Sequence, residues 1–199
     1  MTFPQLPSSS LKVDLCSGTA APQRKLEGYV TTDLRLFEGI DYALTLGVDP
    51  LPFADDSVME IRAHDALEHI RDGFFSLMDE CWRVMHPRGV LDIWVPRFPS
   101  PAAVMHPEHV NYFLGADDAA PFAQALAPYL LGQVQRIFCV HTWAFFMAPA
   151  DGIDQHGYLK GFWHLQHQHE IDSHLRVLLT PNKPGGRYPY KEVRRKDQI

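Results

Sequence analysis

Cysteine is scarce in this chain: three among 199 residues, Cys16, Cys81 and Cys139. An odd number at such wide spacing forms neither a disulfide framework nor a zinc pattern, and it points to a reducing, cytoplasmic compartment. Long apolar runs are missing as well. A membrane-spanning helix needs about 20 consecutive apolar residues, and the longest apolar stretch, Ile137 to Ala150, is broken by His141 and Thr142. The opening MTFPQLPSSS has no basic region followed by an apolar run, so no secretory signal is expected there. Positive charge is not in excess. Eighteen Lys and Arg stand against 24 Asp and Glu, a net charge of −6, which argues against a general nucleic-acid-binding surface. There is no internal repeat, no low-complexity tract, and no G-x-G-x-x-G to cradle a nicotinamide dinucleotide.

What is present is the composition of an ordinary globular domain, 46% hydrophobic and 21% charged, at a length that suits one domain. Leu11 to Leu15 reads as a short buried strand, followed by the small residues Cys16-Ser17-Gly18-Thr19-Ala20-Ala21, which permit a tight turn. After the linker Pro22 to Glu27, Gly28 to Asp33 reads as a second strand ending in a carboxylate, and Leu44 to Val48 as a third. Pro50-Leu51-Pro52-Phe53 forces an extended approach, Ala54 to Ser57 a turn, and Val58 to Ala63 a fourth strand ending at His64-Asp65. Phe74, Leu77, Met78, Cys81, Trp82 and Met85 lie on one helical face, with Asp79 and Arg83 four apart for an ion pair. His86-Pro87-Arg88-Gly89 stops that helix, and Val90 to Val95 reads as a fifth strand. Strands alternating with crossovers imply a parallel sheet.

Beyond Pro96 the rhythm changes. Arg97 to Ala116 is a long aromatic-rich connection, Asp118 to Leu131 a helix, Val134 to Met147 a long strand and Leu175 to Thr180 another. The His-rich segment Gly157 to His174 contains His156's neighbours His164-x-x-His167-x-His169. It reads as a solvated or interface loop, or as polar lining of an active-site mouth; on a regular strand His167 and His169 would share a face and His164 would not. Its spacing matches no common structural zinc site, so no metal ligand is assigned there. Pro181 to Ile199 carries six of the eighteen Lys and Arg and reads as a loosely held basic tail.

Four stretches resemble class I S-adenosylmethionine-dependent methyltransferases of the short type 11 kind. Val48 to Ile70, VDPLPFADDSVMEIRAHDALEHI, resembles their LPF…D-S…LEH segment. Val13 to Gly18, VDLCSG, is similar to their acidic-x-Gly-x-Gly loop, with Cys16 where the first glycine is usual. Glu80 to Leu91 resembles E-x-x-R-V-L-x-P-G-G-x-L, with Arg88 replacing one glycine, and His106 to Phe113 is similar to a P-x-H-x-x-x-F run. The resemblance implies an α/β fold: a Rossmann-like three-layer sandwich around a mostly parallel seven-stranded sheet whose last strand is antiparallel. Val134 to Met147 and Leu175 to Thr180 would supply the last two strands. Residues 11–96 would form the cofactor-binding core and 97–174 the acceptor side of a single domain.

The implied cofactor is S-adenosyl-L-methionine. Asp14, Cys16, Ser17 and Gly18 would cradle its methionine half, and Asp33 its ribose, although a carboxylate there is equally a cap or a surface residue. Asp49 or the backbone beside Leu51 would face adenine, with Phe53 beneath, and His64 and Asp65 would lie near the methionine end. Glu68 and His69 would serve as helix-entry residues. The implied function is methyl transfer to an unidentified acceptor, a small molecule, with nucleic acid and membrane not indicated as partners. If the acceptor carries a proton, His109, His64 or His106 could remove it, because imidazole titrates near neutral pH. Phe98, His106, Tyr112 and Phe113 would line the acceptor side. Two alternatives stand beside this: a Rossmann-like protein that binds a ligand or partner without catalysis, and a metalloenzyme built on the histidine cluster.

Overall fold

A computed structural model describes residues 11–115, 136–138 and 163–186. The expected helix Asp118–Leu131, the strand Val134–Met147 outside 136–138, His156 and the tail beyond 186 lie outside these residues. Five strands run parallel in the order β3-β2-β1-β4-β5: β1 Leu11–Leu15, β2 Tyr29–Asp33, β3 Tyr42–Ala43, β4 Val58–His64 and β5 Met85–Phe98. Strands covered on both faces bury consecutive residues, and Val13, Asp14 and Leu15 of β1 are all buried.

β9 (His174–Pro181) pairs antiparallel with Leu91–Pro96 of β5, and β8 (Trp163–Ile171) pairs antiparallel with β9. These seven strands make the expected mixed sheet, ending in an antiparallel pair. Two short strands, β6 (Asn111–Leu114) and β7 (Arg136–Phe138), extend the end of β5 at Arg97 and Phe98 and bring the total to nine.

Helix α1 (Ala21–Leu26) joins β1 to β2, and α2 (Phe74–Val84) joins β4 to β5. The two crossovers step in opposite directions along the sheet. Right-handed connection therefore places the helices on opposite faces. The spacing expected for α2 holds: Phe74, Leu77, Met78, Cys81 and Val84 are buried in the main core with Val13, Ile61, Leu91 and Val177. The helix starts at Gly73, φ 71°, where an added Cβ would fall 2.0 Å from the Gly47 carbonyl oxygen. Only glycine allows that approach. A short helix, α3 (Pro101–Val104), follows β5 and is capped by the Ser100 hydroxyl.

Several expectations are corrected. The third strand is Tyr42–Ala43, not Leu44–Val48: Asp49 accepts the Thr45 N–H at 2.7 Å and folds that stretch into a local turn. The helix stops at Val84, so Met85, expected on its apolar face, begins β5 instead, and His86–Gly89 forms no separate turn. It is absorbed into β5 as an irregularity between the Val58–Met85 and Glu60–Val90 pairs. The final two strands of the sheet are β8 and β9, so the His-rich stretch from Trp163 is strand rather than loop. A register shift between Leu165 and His167 sets positions 164, 167 and 169 opposite 180, 178 and 176. The basic tail is anchored at its start. Lys183 is 6% exposed and donates to the Arg83 and Met85 carbonyls at 3.1 and 2.9 Å, where α2 ends, and to Asp56. A cation at a helix C-terminus satisfies carbonyls the helix cannot.

Candidate functional site

Strand order reverses between β1 and β4, and in open α/β sheets ligands bind at the carboxyl ends of the strands beside such a point. A cleft of about 570 Å³ opens there, lined by Asp14, Cys16, Ser17, Gly18, Thr19 and Ala20 after β1, by Arg62, His64 and Asp65 at the end of β4, and by Arg24 and Trp94. Two residues of the first loop have left-handed backbone, Cys16 at φ 55° and Gly18 at φ 52°. The loop is pinned by the Ser17 N–H on the Thr32 carbonyl, 2.8 Å, and by the Ser17 hydroxyl on the Asp14 carbonyl, 3.1 Å. The Gly18 N–H donates to Asp33 Oδ2 at 2.9 Å, so the carboxylate closing β2 is tied to the loop leaving β1.

The cleft carries both signs of charge. Asp14, nearly buried, lies 3.4 Å from Arg62 Nε and 3.8 Å from Arg24 Nε. Burial raises its pKa, opposed by Ser17, the two guanidinium groups and His64. The Cys16 thiol is pushed up to about 12, by burial first and then by Asp33, Glu68 and Asp14, so it stays protonated and is no nucleophile. His64 stacks on Trp94, centroids 5.9 Å apart, with Nε2 3.4 Å from Asp92 Oδ2. Asp92 in turn accepts two bonds from Arg176, 2.9 and 2.7 Å. Burial would raise the Asp92 pKa, but His64 and Arg176 outweigh it and hold the carboxyl below the usual range. Asp65, at φ 49°, donates its N–H to the Trp94 carbonyl and sits 3.3 Å from His174 Nε2.

Glu68 is 1% exposed and neither carboxyl oxygen has a side-chain partner among the described residues. Burial, with a smaller push from Asp65, raises it to about 8. Among the described residues, no cation neighbours this buried carboxyl, which lies close enough to Cys16 to act on its thiol.

The remaining expected residues lie elsewhere. Leu51 is 2% exposed, its N–H donating to Glu80 Oε2 at 2.8 Å and its carbonyl accepting from Arg83 Nη2 at 2.9 Å. Neither it nor Asp49 is among the residues that line the cleft; Asp49 is held in a turn by Thr45, next to Leu44, whose N–H donates to the Asp33 carbonyl at the end of β2 at 2.8 Å. Phe113 is completely buried in the core and Phe98 nearly so, packed 5.0 Å from the Tyr112 ring. Phe113 thus offers no surface to an acceptor. His109 is also away from the cleft. It forms a group with His69 and His106, ring centroids 4.8–5.2 Å apart. Arg24, Arg62, Trp94 and the Asp92–Arg176 pair were not anticipated. Strand alternation does put Arg62 on the face of His64, and the register sets Trp94 beside His64.

No family model matches the sequence, and no curated protein does. Solved structures do. A chain from the complex formed by the Haloferax volcanii Trm112 methyltransferase activator aligns at 13% identity over 86% of this chain and 82% of that one, TM-score 0.51. Burkholderia thailandensis 1,6-didemethyltoxoflavin-N1-methyltransferase, with bound 1,6-didemethyltoxoflavin and S-adenosylhomocysteine, aligns at 10% identity over 87% and 72%, TM-score 0.52. Such likeness shows fold: the chain has the Rossmann-like architecture of class I S-adenosylmethionine-dependent methyltransferases.

Proposed function

We infer that the protein binds S-adenosylmethionine in the cleft between β1 and β4 and transfers its methyl group to a small-molecule acceptor. The observation that carries this reading is the Gly18–Asp33 bond, which joins a left-handed loop and a strand-end carboxylate at one rim. The Burkholderia neighbour pairs the same fold with S-adenosylhomocysteine and a small heterocycle, which supports the reading.

The residues fit the cofactor. Its methionine end is a zwitterion beside a sulfonium cation. The cleft supplies acidic Asp14 and Asp65 next to basic Arg62, and the buried Glu68 carboxyl has no hydrogen-bond partner from another side chain among the described residues. Asp33 keeps Oδ1 facing only the long 3.3 Å Arg35 N–H, which leaves acceptor capacity for hydroxyls. Cys16 occupies the left-handed conformation that glycine favours, so the substitution leaves the loop's course intact. When bound, the cofactor brings an already activated methyl group. The chain's part is to hold an acceptor in line with it and to exclude water. Where the acceptor atom carries a proton, His64 is the imidazole on the cleft, and Asp92 orients it. His109, with Nδ1 bonded to the Ala103 carbonyl at 2.9 Å, is not placed for that role.

Calorimetric titration of the full chain with S-adenosylmethionine tests this. Binding is expected, and Asp33→Asn should weaken it by about 5-fold, because Asn keeps one neutral acceptor and hydrogen bonds to a charged acceptor contribute about 1 kcal/mol more than those to a neutral one. Absence of binding at high micromolar cofactor would leave the non-catalytic reading.

A further inference from the structure

We propose that His69, His106 and His109 form a divalent transition-metal site, Zn²⁺ foremost, separate from the cleft. Each offers a ring nitrogen, and the three lie within 4.8 Å of one another. Tetrahedral zinc with Zn–N near 2.0–2.1 Å sets nitrogens about 3.4 Å apart, so the ion requires about 1.4 Å of closure at most. The exposed His106 side chain can swing toward the other two by rotation about its χ angles, and half-buried His69 can supply closure toward buried His109.

The group is built, not accidental. His69 follows β4 and the other two precede β6, so the donors come from segments nearly forty residues apart. Three bonds clamp those segments: the Val110 N–H to the Glu68 carbonyl, and the Asn111 amide to the Leu67 and Ile70 carbonyls, each 2.8 Å. Asn111 is 1% exposed. A backbone carbonyl can only accept, so His109 carries its proton on Nδ1, facing Ala103, and keeps Nε2 as a lone-pair donor. Metal-ligating histidines characteristically fix their tautomer through such a bond. The long 3.3 Å bond from the Glu108 N–H to His106 Nδ1 is the one that yields on binding. Imidazole donors without thiolate suit zinc and its neighbours rather than calcium or magnesium. Three protein ligands leave a fourth position for water. The ion would lock the turn after β4 to the segment entering β6.

This does not rest on the methyl-transfer reading, and the test reads metal alone. Tag-free full chain, stripped with chelator, is titrated with Zn²⁺ by calorimetry and with Co²⁺ by visible absorption. One ion per chain is expected, with cobalt bands of tetrahedral intensity. His106→Gln removes an exposed ligand without disturbing the core and should weaken binding by at least about 10-fold. His109→Gln should do the same, while His169→Gln, on β8, should leave affinity unchanged. No stoichiometric ion at micromolar zinc, or an ion that survives both His106→Gln and His109→Gln, or one lost with His169→Gln, overturns the proposal. Circular dichroism of His106→Gln separates loss of a ligand from loss of the fold.

Discussion

Cys16 shows how far one residue could be read in advance. Its place in the strand-loop motif marked it as standing where glycine is usual, and the backbone gives the reason: φ is 55°, a region that non-glycine residues enter at a cost. Cysteine tolerates it because its side chain is short and packs against the core. Replacing Cys16 by Gly exchanges that strain and packing for greater chain entropy, and the effects nearly cancel. A β-branched residue gains nothing in exchange. Chemical denaturation should therefore find Cys16→Gly within about 0.5 kcal/mol of the parent and Cys16→Val destabilised by about 2 kcal/mol. The charge partners of the cleft were harder to see. Arg62 pairs with Asp14 across two strands, and such a pairing needs the register, which no local pattern states.

At the scale of elements, α2 and the proline-rich approach to β4 form one unit through Arg83. Its guanidinium binds the Leu51 and Phe53 carbonyls at 2.9 and 3.0 Å and the Glu80 and Asp55 carboxylates. A lysine keeps the charge but not the planar fork that spans these acceptors. Arg83→Lys should lower unfolding free energy by about 2 kcal/mol, read from urea denaturation, with no change in the cleft's composition. The legible elements were those with a strong local signature. The helix face of α2, the buried run of β1 and the Pro-Asp-Ser turn before β4 each follow from spacing or side-chain chemistry. Two-residue β3 carries no such signature. β8 was obscured because its histidines are polar and because the shift at Leu165 breaks the period-two alternation that marks a strand. Leu51 and Phe113 were assigned to the site by analogy of order in the chain. Both side chains are buried, and an apolar residue in sequence reads the same in a core as in a pocket wall; the role implied for Leu51 is its backbone's, which that burial leaves untouched.

For the molecule as a whole, the question is what holds the late, antiparallel part of the sheet to the early, parallel part that carries the cleft. Asp92 on β5 answers part of it, reaching His64 on β4 and Arg176 on β9, one carboxylate for three strands. Its folded pKa lies below the unfolded value, so its contribution is present above the unfolded pKa near 3.9 and is lost as pH falls through the folded one. Arg176 is 39% exposed at its side chain, and solvent screening reduces what the pair contributes. Removing the carboxylate also leaves a guanidinium and an imidazole facing each other over partly buried ground. Asp92→Asn should therefore cost about 2 kcal/mol at pH 7, below the roughly 3–5 kcal/mol of fully buried pairs because Arg176 is partly solvated. Urea denaturation of both proteins from pH 7 down to pH 3 checks the sign. The gap should hold steady to about pH 5 and narrow in more acid solution as the parent's own carboxylate is titrated. A gap independent of pH would show that Asp92 acts through packing, and that the parallel and antiparallel parts of the sheet are joined by their apolar contacts instead.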